Sequence, residues 1–489
     1  MNLFLLLLLG LFTYFIVQRS VASITKTPVW ILWLVMMTPA FIWSGWILIY
    51  GEQRQMPLVL LFVPFIICPI LYWWLIDLGR PEPTPEVAKP EESKPTSATV
   101  NADEKLSVRS LSQDDEAILR NCFPWSVYYL NSLQYLPQAV ICRGSLRSNP
   151  DVAYKTISEN IEAHFSSRFI VIFQQDLTGK PFFALVPNPQ AHPDARRNSE
   201  LTRPGLALAL LIVTLFTTTV FGSKVANITQ EPWRHPGALL QGLPYALSLM
   251  TIMGVYAWSR YLTARRYKIK TTLPYFIPVP VFLGTIGALM QMRSPIPHRK
   301  ALFDLAIAGP VAGFVVTLPL LIWGLANSSV VTLSEKSGVL NIDSFNPRFS
   351  LLMTLLSKLT LGSALIPNTA IDLHPVAIAG YVGVIVTALN LMPVGQLNGG
   401  HIVHAMFGQQ AAIAIGQIAR LLMLVLYLVQ PIFLFWAIFL FLIPVSDAPA
   451  LNDVTELDNK RDFGGLLALG LLIAIVLPLP RLFSGMLNI

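Results

Sequence analysis

The stretch NLMPVGQLNGGH, from Asn390 to His401, carries the strongest structural signal in this sequence. It follows a run of apolar residues and combines a proline, Pro393, with two consecutive glycines, Gly399 and Gly400. Non-helical backbone is tolerated at membrane depth only where it is buried in protein or lines a cavity. We therefore predict that the chain departs from helical geometry at the glycine pair, inside a protein-lined cavity.

A second stretch, GVYAWSRYLTARR from Gly254 to Arg266, completes the pattern. The first stretch resembles the N-x-x-P-x-x-x-L-D-G-G-H element of the site-2 proteases, which are intramembrane zinc metalloproteases. The second resembles their G-V-H-E-x-x-H-x-x-x-A-x-R helix. The element AGPVAG, from Ala308 to Gly313, is similar to the small-residue packing element of the same family.

Two further segments resemble one branch of that family, found in cyanobacteria and chloroplasts, which includes the plant ethylene-dependent gravitropism-deficient and yellow-green proteins. They are NCFPWSV, which begins at Asn121, and LNDVTELDNKR, which begins at Leu451. The resemblance covers the chain from about Asp114 to the C-terminus. The three apolar runs before that point match no family element.

The resemblance implies a zinc site at positions that this sequence fills differently. The first zinc-binding His of the family falls on Tyr256, the general-base Glu on Ala257, the second His on Arg260 and the Asp ligand on Asn398. The resemblance also marks seven positions of the structural motif, which are Asn390, Pro393, Gly399, Gly400, Gly309, Pro310 and Gly313.

These replacements remove the chemistry that the family uses. A site-2 protease holds zinc with two His and one Asp, and its Glu acts as general base. Tyrosine, with a pKa near 10, rarely gives up its proton to zinc, asparagine offers a neutral oxygen, and arginine brings a permanent positive charge. We expect no bound zinc, no other cofactor and no peptidase mechanism.

Arg260 and the pair His401 and His404 leave alternatives open. Arg260 either extends toward the membrane interface near Arg265, or replaces the metal as a polar centre paired with Asp304 or Asn398. The two histidines are spaced i, i+3, but no carboxylate lies near them in the sequence. An ordinary polar helix face is therefore favoured over a substitute metal site.

The composition indicates a protein that lies mostly in lipid. Of 489 residues, 54% are hydrophobic and 12% are charged, whereas soluble domains carry about 25% charged residues. The basic residues cluster at the ends of apolar runs rather than in an aromatic-rich stripe, which is typical of membrane orientation and excludes nucleic acid as a partner. Three cysteines cannot supply a disulfide framework.

Apolar runs long enough to cross or nearly cross a bilayer occur throughout the chain. They are 3–17, 29–50, 58–76, 206–221, 238–262, 301–323, 377–391, 411–428, 432–443 and 466–479. The predicted fold is an all-α polytopic membrane protein with a site-2 protease-like core and a small soluble α+β domain. The predicted domains are a membrane region of three spans (1–79), a disordered linker rich in Pro, Glu, Lys and Ser (80–113), the soluble domain (114–195) and the membrane domain (196–489).

Periodicity in the soluble domain predicts a mixed order of elements. The expected elements are strands at 127–129 and 139–142, a helix from 149 to 165, and a hairpin of strands at 169–173 and 182–186. Threading the first five spans with an outside N-terminus places the basic loops and this domain in the cytoplasm.

Three functions are compatible with the sequence. The favoured one is a catalytically inactive homologue that binds, assembles or regulates a membrane-protein client in a cyanobacterial plasma or thylakoid membrane, or a plastid equivalent. The second is an active intramembrane zinc protease with an atypical site. The third is a transporter or channel, against which there are no matching broken helices in two halves of the chain and no row of acidic residues within the spans.

Overall fold

The structure is a computed structural model that describes residues 28–50, seven positions between 64 and 78, and most of 113–479. Within the last range it leaves out 137–138, 177, 189–202, 227–235, 280–282, 333–344, 367–368, 430–432, 446 and 448. The predicted span at 3–17 and the linker at 80–112 lie outside the described residues. The chain forms two compact units, Met1–Thr99 and Val100–Ile489. The predicted boundaries at 79, 113 and 195 stay predictions.

The first unit contains α1, Val29–Tyr50, which has the bounds of the predicted second span. It is apolar on all sides, and its 29–46 portion is hydrophobic enough to cross a membrane. Leu32 is fully buried and packs against Tyr72 and Leu75.

The second unit begins with the predicted α+β domain. Its elements are α2 (Gln113–Asn121), β1 (Tyr128–Leu136), β2 (Ala139–Leu146), α3 (Pro150–Phe165), β3 (Phe169–Gln175) and β4 (Pro181–Pro187). The strands form one antiparallel sheet in the order β1-β2-β4-β3, in which Cys142 lies opposite Phe183. The strands begin within a residue of their predicted starts and run longer.

Helix α3 forms because its sequence supplies both a start signal and an apolar stripe. The Asn149 side chain accepts a hydrogen bond from the Asp151 N–H at 2.9 Å, and Pro150 occupies the first helical turn. Buried residues then recur every four positions, at 153, 157, 161 and 165. This stripe packs on the sheet in a core with Phe173 and Phe183, whose rings stack at 4.1 Å.

The membrane region contains ten α-helices in the described part of the chain. They are α4 (Pro204–Val225), α5 (Pro236–Leu240), α6 (Leu243–Arg266), α7 (Arg299–Ala326), α8 (Leu351–Leu361), α9 (Pro375–Leu391), α10 (Asn398–Phe407), α11 (Gln409–Val429) and α12 (Phe433–Leu442), followed by α13 (Asn459–Val476) as a tenth, C-terminal helix. Together with α1, helices α4, α7 and α11 are long and apolar enough to span a bilayer. The protein is therefore a mostly helical, multi-pass membrane protein with small antiparallel sheets.

Helices α6, α7 and α9 form the centre of this region and approach closely through small residues. A Cβ placed at Gly324 of α7 would lie 2.9 Å from Ala377 Cβ of α9, and one at Gly383 of α9 would lie 2.7 Å from Thr317 Oγ1. Close backbone approach through Gly, Ala and Thr is the usual packing mode of helices in lipid.

The sequence did not predict several short elements between the spans. They are the hairpin β5 (Tyr275–Val279) and β6 (Gly284–Leu289), the pair β7 (Ser329–Thr332) and β8 (Thr369–Asp372), and helix α8. The hairpin packs along α4, and Thr217 of α4 donates a hydrogen bond to the Gly284 carbonyl at 2.7 Å.

The segment 451–455 joins the soluble domain to the membrane domain. On one side, the Phe173 N–H donates to the Leu451 carbonyl at 2.7 Å and the Asp453 N–H donates to the Phe173 carbonyl at 2.9 Å. On the other side, the Leu451 N–H donates to the Ile296 carbonyl at 2.9 Å. Val454 is buried in the core of the soluble domain. This segment therefore extends the soluble sheet beside β3 and fixes it to the start of α7.

Candidate functional site

Three of the four family-equivalent side chains meet where α6 approaches the start of α10. Asn398 Nδ2 donates a hydrogen bond to Tyr256 Oη at 2.6 Å, across 142 positions of the chain. Arg260 lies one turn further along α6, and its guanidinium faces the same hydroxyl. Asn398 is buried, whereas Tyr256 and Arg260 are partly exposed. These three side chains form the polar site.

The fourth position, Ala257, lies on a packed face of α6 and is 4% exposed. A methyl group cannot accept or donate a proton, so nothing at this position replaces a general base. Beside it, the Ser259 hydroxyl donates to the Ala308 carbonyl at 3.1 Å and holds α6 against α7.

Gly309 and Gly313 of α7 make room for the bulky residues of the polar site. A Cβ at Gly309 would lie 3.0 Å from Arg260 Cγ and from Tyr256 Cε2, and one at Gly313 would lie 3.3 Å from Tyr256 Cδ2. Pro310, between them, is buried within the helix. The stems of Tyr256 and Arg260 therefore pack directly on the α7 backbone.

The glycine pair of the NGG turn does not have the predicted role. Helix α9 ends at Leu391 and α10 already begins at Asn398, so the non-helical stretch precedes the pair. The positive φ of this stretch, +47°, is at Gly395. Gly399 and Gly400 lie in the first turn of α10, where a Cβ would overlap the carbonyl groups of Leu391 and Gly395. They are required for close approach rather than for leaving the helix.

The two remaining motif residues lie beside the turn. The Asn390 amide donates to the Val386 carbonyl of its own helix at 2.9 Å. Pro393 is half-buried in the non-helical stretch that follows. Neither side chain makes a hydrogen bond to Tyr256 or Asn398 within the described residues.

The chemistry of these side chains does not fit the zinc ion that the family uses. Zinc takes thiolate, imidazole and carboxylate ligands, and the polar site offers a phenol, an amide and a cation. The amide nitrogen and the guanidinium are both hydrogen-bond donors directed at the phenol oxygen. The permanent charge of Arg260 would repel a divalent cation.

Arg260 does not have the partner that the sequence suggested. Asp304 accepts hydrogen bonds from Arg461 Nε and Nη2, both at 2.8 Å, and from the Tyr267 hydroxyl. Arg260 has no carboxylate partner among the residues described, and its Nε is buried without any acceptor. The interpretation that Arg260 pairs with Asp304 is therefore wrong, and the link to Asn398 runs through Tyr256.

A second polar cluster lies at the end of α10 that faces the segment 451–455. His404 is fully buried; its Nε2 contacts both oxygens of Asp453 at 3.0 Å, and its Nδ1 lies 3.4 Å from Asp447. His401 donates from Nδ1 to the same Asp447 oxygen. Arg299, the first residue of α7, donates from Nε to Asp453 at 3.2 Å. We call these five residues the His/Asp network.

The buried positive and negative charges of the His/Asp network are equal in number. Burial alone would lower the pKa of His404, but the hydrogen bonds and charges of Asp447 and Asp453 raise it to about 9. Burial alone would raise the pKa of Asp447, but hydrogen bonds from the two histidines lower it to about 2. An imidazole that donates from both nitrogens is the cationic form. Two cations, Arg299 and His404, thus neutralise two carboxylates.

The histidine pair has no carboxylate near it in the sequence, but the fold brings two aspartates to it. The two aspartates lie 43 and 49 positions beyond His404 and reach it through the fold. The signal available in the sequence was the LNDVTEL element, which carries Asp453. Even so, no three His, Cys, Asp or Glu side chains within the described ranges are arranged to share a metal ion.

Residues 244–429, which include the polar site and α10, match peptidase family M50. The Arabidopsis thaliana protein named probable zinc metalloprotease EGY2, chloroplastic, is 27% identical over 381 residues, which cover 78% of this chain and 67% of that protein. The one named EGY1 is 32% identical over 239 residues, 49% of this chain and 43% of that protein. No solved structure gives a significant match.

A rice relative, from Oryza sativa subsp. japonica and also named probable zinc metalloprotease EGY1, chloroplastic, is 26% identical over 409 residues, 75% of this chain and 68% of that protein. The fold defines a mostly helical, multi-pass membrane protein. Over the matched ranges the chain is similar to peptidase family M50 and to these EGY-named chloroplast proteins.

Proposed function

We propose that this protein is a catalytically inactive site-2 protease homologue that binds, assembles or regulates a membrane-protein client. The observation that carries the proposal is the composition of the polar site. Tyr256, Arg260 and Asn398 occupy the positions at which the family holds zinc, and they bond to one another instead. The hydrogen-bond donors of Asn398 and Arg260 are directed at the Tyr256 oxygen, at the positions where the family has its metal ligands.

The loss of peptidase chemistry follows from these side chains. Without zinc the pKa of an attacking water stays near 15.7 instead of about 7. With alanine at position 257, general base catalysis, which contributes roughly 10² to 10⁴ in rate, is also missing. The four replacements act on separate parts of one mechanism, so no single residue restores it.

A role in binding is supported by what the chain retains. Helices α6, α7 and α10 pack together around the polar site, and we infer that this packing keeps a groove for a membrane segment. The client is then an apolar membrane segment, and the home is a thylakoid, plasma or plastid membrane. The relatives named as chloroplastic support this location.

Zinc content tests the proposal, because the relatives' names, probable zinc metalloproteases, favour the opposite outcome. We expect the purified protein to hold no stoichiometric zinc and to melt at the same temperature with and without a chelator. A metal bound only to the folded state at 100 times its Kd would stabilise it by about 2.7 kcal/mol. One zinc per chain in the unmodified protein would overturn the proposal.

The revertant with Tyr256→His, Ala257→Glu, Arg260→His and Asn398→Asp is the matched control. Because α6 and the start of α10 already meet at these positions, we expect it to bind about one zinc per chain. Metal analysis after gel filtration measures this directly. Failure of the revertant to bind zinc would mean that the four positions do not surround one metal-sized space.

A further inference from the structure

The polar site contains hydrogen-bond donors without a matching acceptor. A phenol oxygen has two lone pairs and one proton. The Tyr256 oxygen accepts from Asn398 Nδ2 at 2.6 Å and also interacts with the Arg260 side chain. Its own proton therefore needs a different acceptor, and none is found in the described part of the chain.

Arg260 adds an uncompensated charge to these donors. Its Nε is buried without an acceptor, and Asp304 is engaged by Arg461. A buried charge without a partner is costly, because its lost hydration is not replaced. Arg260 is therefore a cation without a carboxylate partner among the described residues.

The direction of the side chain excludes extension to the interface as the explanation. Arg260 lies six residues before the end of α6, about 9 Å along the axis. Its Cγ and Cδ lie against Gly309, and its guanidinium faces Tyr256, one turn toward the helix N-terminus. A guanidinium that extended to the interface would point the other way, toward Arg265 and Arg266.

We propose that the polar site binds a carboxylate carried by an apolar molecule. Arg260 would donate to the carboxylate through its planar fork, and the Tyr256 hydroxyl would donate its free proton to the same group. A carboxylate suits the fork, and its single charge matches that of Arg260. Tyr256 and Arg260 are each partly exposed, as access by a ligand requires. The inference rests on the proposed function, since zinc at this place would occupy the same space.

Three pairs of probes test the inference and separate the possible sources of the carboxylate. The first is an apolar transmembrane peptide with one central Glu, compared with its Gln form. The second is an apolar peptide with a free C-terminal carboxylate, compared with its amide. The third is laurate, compared with lauryl alcohol. Binding to the full chain in detergent is measured by thermal shift and by fluorescence of a labelled probe. At least one carboxylate form should bind at least about tenfold more tightly than its neutral partner.

Two variants connect binding to the polar site. We expect Arg260→Met to lower the affinity of that probe by about a hundredfold and Tyr256→Phe, which keeps the ring, by about tenfold. Arg265→Met is the matched control, because it removes a charge from the same helix. The Arg265 guanidinium lies over the Tyr261 ring rather than in the polar site. This control should bind the probe as the unmodified protein does.

Other outcomes overturn the inference. Equal binding of all charged and neutral probes would show that no carboxylate is recognised. Stabilisation by chloride alone, without effect of any carboxylate, would assign the site to a small inorganic anion. A near-ultraviolet band of tyrosinate at neutral pH that is lost in Tyr256→Phe would show that Tyr256 itself supplies the negative charge. Zinc measured in the same sample distinguishes these results from failure of the proposed function.

Discussion

Arg260 and Arg461 show how the surroundings of a guanidinium determine the effect of removing it. Arg461 donates to both oxygens of Asp304 at 2.8 Å and also to Asp458. Arg260 has no carboxylate partner within the described residues. Removing one member of a buried ion pair strands the other charge, whereas removing an unpaired buried charge strands nothing.

We therefore expect the two arginines to respond in opposite directions when replaced by methionine. Arg461→Met should lower the free energy of unfolding by about 2 kcal/mol, less than for a fully buried pair because both partners remain about a quarter exposed. Arg260→Met should be neutral or stabilising in the absence of ligand. Thermal unfolding in detergent measures both. A large loss of stability in Arg260→Met would point to a carboxylate partner outside the described residues.

The family resemblance assigned Tyr256 and Asn398 to one site, and in the structure their side chains form a hydrogen bond. The assignment of both residues to the family's zinc-ligand positions stays a prediction. The partner of Arg260 could not be predicted, because Asp304 is close in the fold to two other donors, Tyr267 and Arg461. Competition among long-range partners leaves no trace in local spacing.

At the scale of whole elements, α6 and α7 pack so closely at Gly309 that a methyl group there would lie 3.0 Å from Arg260 and Tyr256 side-chain atoms. We expect Gly309→Ala to destabilise the protein by about 1–3 kcal/mol, the usual effect of overpacking. Gly254→Ala is the matched control on α6, because nothing lies within 4 Å of a Cβ there. Adding Arg260→Ala to Gly309→Ala shortens the side chain that the new methyl group contacts, so it should recover part of the lost stability. A double-mutant cycle of melting temperatures measures this recovery.

The His/Asp network gives the junction between α10 and the segment 451–455 a pH dependence. The folded pKa of His404, about 9, lies above its ordinary value of 6.5, so its contribution is complete below pH 6.5 and is lost as pH rises through 9. Asp447, with a pKa of about 2, is ionised throughout this window. We expect stability to fall by about 3 kcal/mol between pH 6.5 and 9.5.

Melting curves of the unmodified protein and of His404→Gln test this dependence. The variant should be less stable at pH 6.5 and should lose most of the slope over the window, because the titrating group is gone. His164→Gln, which changes an exposed histidine of α3, should keep the slope. The same slope in His404→Gln would assign the pH dependence to another group.

Periodicity predicted the long elements and missed those that depend on distant partners. The helices and the soluble strands have apolar patterns that local sequence reveals. The segment 451–455 has no such pattern, and its extended form is fixed by hydrogen bonds to Phe173 and Ile296. Short strands such as β7 and β8, 40 positions apart, are likewise defined by each other rather than by their own residues.

At the scale of the second compact unit, α7 determines which regions share a side of the membrane. Its 28 residues span about 42 Å, enough to cross a bilayer. Its N-terminal end contacts the soluble domain, where Asn452 pairs with His298 and Lys300 lies 4.0 Å from Asp151. Its other end leads into β7. We therefore expect the soluble domain and β7 to lie on opposite sides of the membrane.

Cysteine labelling of intact cells tests this arrangement and the predicted cytoplasmic location of the soluble domain. The native Cys122 and Cys142 are free but buried, and burial raises the pKa of both thiols, so they should react slowly in the folded protein. Exposed positions are needed instead, and Ala163 of α3 and Ser329 of β7 are both exposed. We expect Ser329→Cys to react with a membrane-impermeant maleimide from outside. Ala163→Cys should react only after the membrane is opened, because the basic residues flanking α6 and α7 favour the cytoplasmic side. The unmodified protein is the control for background reaction of native thiols.

Labelling of Ala163→Cys from outside, with Ser329→Cys protected, would invert the orientation but keep the two ends of α7 apart. Labelling of both from one side would contradict the placement of the soluble domain at the opposite end of α7 from β7.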